Sequence, residues 1–234
     1  MQYEVKNAPL PVLICKLESG KSVECQKGAM SWMTQTMQME TGLGSGGSGG
    51  LLGALGKMAK SAVTGESIFR NKYTAQGGAG EIAFASSFPG DIICFDTSAK
   101  AIVAQKSAYL ANTMGVNMEI FFQKKIGAGL FGGEGFIMQK FTGKGMVFLE
   151  INGSVVEYDL APGQSMLIDT GYLAAMEDTC SMDIETVKGI GNALLGGEGL
   201  FNTKVTGPGK IWLQTMPANI LASAIQPYIV TSSN

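Results

Sequence analysis

Gly133-Glu134-Gly135-Phe136-Ile137-Met138-Gln139-Lys140-Phe141-Thr142 is a glycine-marked run with β-prone apolar residues, and the chain writes it three times. The earlier copy is Gly65-Glu66-Ser67-Ile68-Phe69-Arg70-Asn71-Lys72-Tyr73-Thr74, and the later one is Gly197-Glu198-Gly199-Leu200-Phe201-Asn202-Thr203-Lys204-Val205-Thr206. The spacing is 68 and then 64 residues. That period exceeds a solenoid repeat and matches a small domain copied in tandem.

A second motif interleaves with the first. Leu17 to Met33 aligns without gaps onto Leu160 to Met176, and a degenerate copy runs from Ile102 to Ala111. The alternation predicts three units, 12–90, 91–157 and 158–230. Within each, short β-prone runs are separated by glycine: Phe136 to Phe141 and Met146 to Glu150 flank Thr142-Gly143-Lys144-Gly145, and Thr206-Gly207-Pro208-Gly209 is the third copy of that turn. Positive-φ glycines between such runs read as hairpin turns. Ser22 to Cys25 and Ser165 to Asp169 read as further strands. Short strands at regular spacing predict an all-β protein.

The first unit also carries an insertion, 42–63. It opens with the glycine- and serine-rich run Gly42 to Gly50, which reads as a flexible connector or a contact loop. Leu51, Leu52, Leu55, Met58, Ala59 and Ala62 then fall on one helical face, and the stretch Leu51 to Val63 is a candidate for lying on a membrane surface.

Composition excludes several functions. The 234 residues carry 17 Lys and Arg against 19 Asp and Glu, and no run of basic residues supports nucleic-acid binding. Histidine is absent, which removes imidazole bases, Ser-His and Cys-His pairs and the commonest metal ligand. Cys15, Cys25, Cys94 and Cys180 show no CxxC spacing and read as buried thiols in a reducing compartment. Neither a signal peptide nor an 18-residue apolar run is present, so the expectation is a soluble cytoplasmic protein. Gly42 to Gly47 and Gly53 to Lys60 lack the surroundings of a dinucleotide or phosphate loop.

These motifs resemble the tryptophan-RNA-binding attenuation protein-like family that includes the mitochondrial biogenesis (altered inheritance of mitochondria) proteins. The Gly-Glu-x-x-Phe strand, the Thr-Gly-x-Gly turn and the glycine-rich loop carry the likeness, which runs from about Val12 to Tyr228. It implies three small β units, of the attenuation-protein or double-stranded β-helix kind of folded sheet, around a pseudo-threefold axis. It also implies a contributor to membrane organisation rather than an enzyme. The attenuation protein binds tryptophan between subunits and RNA through repeated basic motifs, and this chain has no counterpart of those motifs.

The repeated charges Glu66, Glu134 and Glu198, and Lys72, Lys140 and Lys204, are the candidate site residues. In a ring, each set forms a triangle able to hold a cation or an anion. Alternatively, Glu accepts backbone N–H groups at a strand start and Lys tracks the sheet surface. Glu177-Asp178 and Asp183 with Glu185 read as the exposed face of a strand, and Trp32 and Trp212 as core fillers. The expectation is a non-enzymatic structural or interaction protein that self-associates, without catalytic residue, metal or cofactor. The alternatives are a small-ligand module with a site between units and a protein bound to a membrane surface or a protein partner.

Overall fold

The computed structural model describes residues 1–6, 9–43, 69–124, 135–186 and 201–229. The chain opens with β1 (Gln2–Lys6), and the first repeat then contains β2 (Val12–Leu17), β3 (Ser22–Gln26), β4 (Trp32–Met33), β5 (Met37–Leu43), β6 (Phe69–Ala75) and β7 (Gly80–Ala85). The second contains β8 (Gly90–Asp96), β9 (Ile102–Gln105), β10 (Tyr109–Thr113), β11 (Val116–Lys124), β12 (Phe136–Gly143) and β13 (Met146–Asn152). The third contains β14 (Val155–Leu160), β15 (Ser165–Asp169), β16 (Leu173–Glu177), β17 (Ser181–Thr186), β18 (Phe201–Thr206) and β19 (Gly209–Gln214), followed by the helix α1 (Ala218–Ile225). The protein is all-β apart from α1 and short 3-10 turns, as the strand-and-glycine pattern predicts.

The strands form four sheets, ordered β1-β2-β7-β4, β5-β6-β3-β10-β13-β8, β11-β12-β9-β16-β19-β14 and β15-β18-β17. Each six-stranded sheet joins three strands of one repeat to three strands of the next. The joints are antiparallel and share one register. In the first, Thr113, Asn112 and Ala111 face Val23, Glu24 and Cys25. In the second, Glu177, Met176 and Ala175 face Ile102, Val103 and Ala104.

The strands flanking the Thr-Gly-x-Gly turns are not hairpin partners. β6 and β7, β12 and β13, and β18 and β19 are consecutive in sequence, yet each pair is divided between two sheets. The glycines serve close approach instead. Gly143 has φ +98°, and a Cβ built on it would lie 2.3 Å from the Gly115 carbonyl oxygen. A Cβ on Gly207 would lie 2.5 Å from the Leu160 carbonyl oxygen. No side chain fits where the chain leaves one sheet against the backbone of a neighbouring loop.

Two compact units emerge. The first comprises Met1–Ala99, Tyr109–Ile120 and Phe141–Glu150; the second comprises Lys100–Ala108, Phe121–Lys140 and Ile151–Asn234. In the first, Leu13, Cys15 and Leu17 of β2 and Ile82 and Phe84 of β7 pack with Val23, Cys25, Tyr73 and Phe148 of the first six-stranded sheet. In the second, Val103, Met138, Met176 and Ile211 pack with Ile168, Ile184 and Val205 of the three-stranded sheet. Alternation along β2 places every second residue inward, and each large side chain so buried contributes about 1.5–3 kcal/mol.

Three features go beyond the sequence pattern. β1 adds a strand before Val12, pairing along β2 from Gln2 with Lys16 to Lys6 with Val12. Gly42 and Leu43, which open the glycine-rich insertion, are the last residues of β5 and pair with Arg70 and Phe69. The α1 helix closes a third unit that the sequence reads as β throughout. The rest of the insertion, including the amphipathic stretch Leu51 to Val63, lies outside the described residues.

Gly143→Ala and Gly163→Ala separate close approach from turn conformation. Gly163 also has positive φ (+78°), but a Cβ there meets nothing within 4 Å. Gly163→Ala is expected to cost about 1–2 kcal/mol in urea unfolding, and Gly143→Ala distinctly more, because a backbone clash adds to the same strain.

Candidate functional site

Two of the repeated lysines form ion pairs with carboxylates, and the third stands opposite one. Lys72 lies directly opposite Glu40 and pairs with it at 3.2 Å. Lys140 pairs with Asp178 at 3.1 Å. Lys204 is exposed on β18, directly opposite Asp183 of β17. Lys72 belongs to one compact unit and Lys140 and Lys204 to two different sheets of the other. Such partly exposed pairs contribute about 0–1 kcal/mol each and leave little net positive charge to hold an anion. Glu66, Glu134 and Glu198 lie outside the described residues. Among the described residues, no three Cys, Asp or Glu side chains converge as a metal set.

Nucleophile chemistry finds no foothold in the thiols. Burial pushes Cys15 and Cys25 up to about 12 and Cys94 up to about 11, so none of the three carries appreciable thiolate near neutral pH. Cys180 is also raised, chiefly by burial and then by Glu177. All four are free cysteines.

Two sequence readings need correction. Trp212 is buried as expected, but Trp32 is 50% exposed. Trp212 sits in a sheet interior between β14 and β16, whereas Trp32 belongs to a two-residue strand bonded only to β7 among the described residues. Among the acids, Asp183 and Glu185 are exposed, but Glu177 is buried. The Glu177 carboxylate accepts from Lys100 Nζ at 2.8 Å and from the Lys210 backbone N–H at 3.3 Å, which compensates its burial.

A buried polar cluster stands at the first sheet joint, on residues that the repeats do not share. Arg70 donates to Glu24 Oε2 at 2.6 Å and also reaches Asn112 Oδ1. Asn112 Nδ2 donates to Glu24 Oε2 at 3.3 Å, and the Tyr109 hydroxyl donates to Asn112 Oδ1. The Tyr109 ring stacks on Phe141, with centroids 5.5 Å apart. Burial holds the Tyr109 phenol well above its ordinary range, with Arg70 opposing. Arg70 Nε has no hydrogen-bond partner.

At the equivalent positions of the second joint stand Val103, Met138, Met176 and Leu173, all members of the second apolar core. The same fold position is therefore ionic in one sheet and apolar in the next. A charged residue where another copy is apolar is the sequence signal for this cluster, and aligning only the shared residues hides it.

The first unit also holds a cavity of about 410 Å³ at the ends of β1, β2 and β7, with Lys16, Glu18, Thr34 and Glu81 on its walls. Among the described residues, no helix is long and apolar enough to cross a membrane.

Comparison with known proteins places the chain. Residues 3–216 match the family model for mitochondrial biogenesis AIM24, and the chain belongs to that family. It is 32% identical over 232 residues to an uncharacterised protein of Streptococcus pyogenes serotype M6, covering 98% of this chain and 91% of that protein. A crystal structure of another Streptococcus pyogenes protein, determined by a structural genomics consortium, superposes with a TM-score of 0.78 at 28% identity. That match covers 97% of this chain and 99% of the other.

Removing one member of the buried cluster is expected to cost more than replacing all of it. Arg70→Met leaves the Glu24 carboxylate buried without its cation and should lose about 3–5 kcal/mol in urea unfolding. Glu24→Val, Arg70→Met, Tyr109→Leu and Asn112→Met together copy the second joint and should recover most of that loss. If the fourfold variant is no more stable than Arg70→Met alone, the equivalence of the two joints is wrong.

Alkaline pH should destabilise the fold. Thiols that titrate near 9 when unfolded and near 12 when folded leave stability intact below pH 9 and remove it as pH rises toward 12, since the unfolded chain loses protons first. The expected loss at pH 10.5 is on the order of 1–2 kcal/mol per buried thiol. Cys15→Ala and Cys25→Ala together should make the slope of stability against pH between 9 and 11 shallower, leaving the parts that Cys94, Cys180 and Tyr109 contribute in the same direction.

Proposed function

We propose that this member of the mitochondrial biogenesis AIM24 family is a non-enzymatic structural protein that works by self-association. The observation that carries the reading is the fate of the repeated lysines. Lys72 and Lys140 are engaged in ion pairs with their own sheet neighbours, and Lys204 stands across from Asp183. The neutral, buried thiols and the lack of histidine support the same reading from the side of chemistry.

A second reading rests on the cavity of about 410 Å³. Its volume falls within the range of small-molecule sites, and its walls carry one ammonium and two carboxylates, which suits a small zwitterionic or polar guest. Here the site would lie within the first unit.

Native mass spectrometry of the full chain tests both readings in one measurement. The expected spectrum shows assemblies of two or more chains without a bound small molecule. Single chains at high protein concentration would overturn the structural reading. A retained guest mass that disappears with Lys16→Ala would move the assignment to the ligand module.

A further inference from the structure

The two internal joints define a rule, and the chain has one unfulfilled half of it at each end. The joints pair β3 with β10 and β9 with β16, strands at the same places in successive repeats. The remaining strands of those two kinds are β15, in the third repeat, and β4, in the first. Among the described residues, β15 is hydrogen-bonded only to β18 and β4 only to β7, so each leaves one edge unpaired.

Leu167 of β15 and both residues of β4 are exposed apolar side chains, while Ile168 of β15 is already buried in the second core. Leu167 is 61% exposed, Trp32 50% and Met33 38%. At the two existing joints the corresponding residues, Glu24 with Asn112 and Val103 with Met176, are buried. Free edges of stable monomers usually carry lysine, proline or a bulge against further pairing. Neither β4 nor β15 contains lysine or proline.

We infer that β15 of one copy pairs with β4 of a second copy, extending the three-stranded sheet of one chain into the four-stranded sheet of the next. This rests on the self-association proposed above and names its contact. Transferring the register of the two internal joints sets Leu167 opposite Met33 and Ile168 opposite Trp32. The pairing is antiparallel. It sets exposed Leu167 against exposed Met33, covers Trp32 beside Ile168, and gives the two residues of β4 backbone partners on β15.

The occupant is another copy because the missing halves are both written in this chain, and their chemistry matches. An apolar β15 edge fits the apolar β4 edge as Val103 fits Met176. It does not fit the β10 position, where Asn112 requires the Glu24 and Arg70 partners. The contact is heterologous, with a different surface on each side, so two copies are the smallest assembly that uses every edge once.

The test is a paired-cysteine crosslink in the full chain. Residues facing each other across antiparallel strands lie within disulfide range. Met33→Cys with Leu167→Cys, oxidised mildly, should give disulfide-linked species of two or more chains on non-reducing gels and by intact mass. Either cysteine alone should give none. A disulfide confined within one chain, or none at all, overturns the inference.

Leu167→Asp provides the second arm, and its exposed position leaves the fold intact by circular dichroism. It should raise the dissociation constant of the assembly by about tenfold or more, since a charge enters an apolar contact. Assemblies unchanged by Leu167→Asp would sink the β15–β4 contact while leaving the structural reading in place. Single chains already in the unaltered protein would remove both.

Discussion

Everything in this fold depends on backbone pairing between repeats. A repeat in isolation leaves a half-sheet of three strands with bare N–H and C=O groups along one side, and such edges are unsatisfied unless another strand meets them. Here the next repeat supplies that strand, at β3 with β10 and at β9 with β16. The same joints bring the layers to their places, so the cores form around hydrogen-bond partners contributed from different repeats. Each six-stranded sheet is thus completed by exchange between neighbouring repeats.

The two joints solve one packing problem with different chemistry. The first places Glu24, Arg70, Asn112 and Tyr109 where the second places Val103, Met138, Met176 and Leu173. A buried ion pair gains Coulomb energy but loses hydration, and its net contribution is often below that of a well-packed apolar set. Its benefit is discrimination: a polar joint rejects an apolar strand because the buried carboxylate and guanidinium would lose their partners. Repeats that resemble one another face the hazard of pairing out of order. Making one joint ionic and the next apolar removes much of that ambiguity.

Much of the strand content is legible from periodicity and glycine punctuation. Ser22 to Cys25, Ser165 to Asp169, Phe136 to Phe141 and Met146 to Glu150 all fall within strands. Pairing is less legible, because a strand-glycine-strand pattern is the same whether the chain turns back beside itself or crosses to a second sheet. Only the bulk meeting Gly143 and Gly207 distinguishes the cases, and it comes from residues distant in sequence. Trp32 misleads for a related reason. Its neighbours are those of a core strand, but its strand has a partner on one side only. The polar cluster is hidden because Arg70 aligns with Met138 and Asn202, so the repeat average erases it.

The division of the second repeat between the two compact units bears on how the chain is made. The first unit includes Tyr109–Ile120 and Phe141–Glu150 in addition to the N-terminal 99 residues. Its sheet therefore lacks β13 until Glu150 has left the ribosome. During that interval β10 offers an open side, and Lys100–Ala108, destined for the second unit, waits for β16, which is synthesised later still. Domains usually fold in order of emergence. Here the nascent chain carries two incomplete sheets at once, one waiting for β13 to pair beside β10 and the other for β16 to pair beside β9.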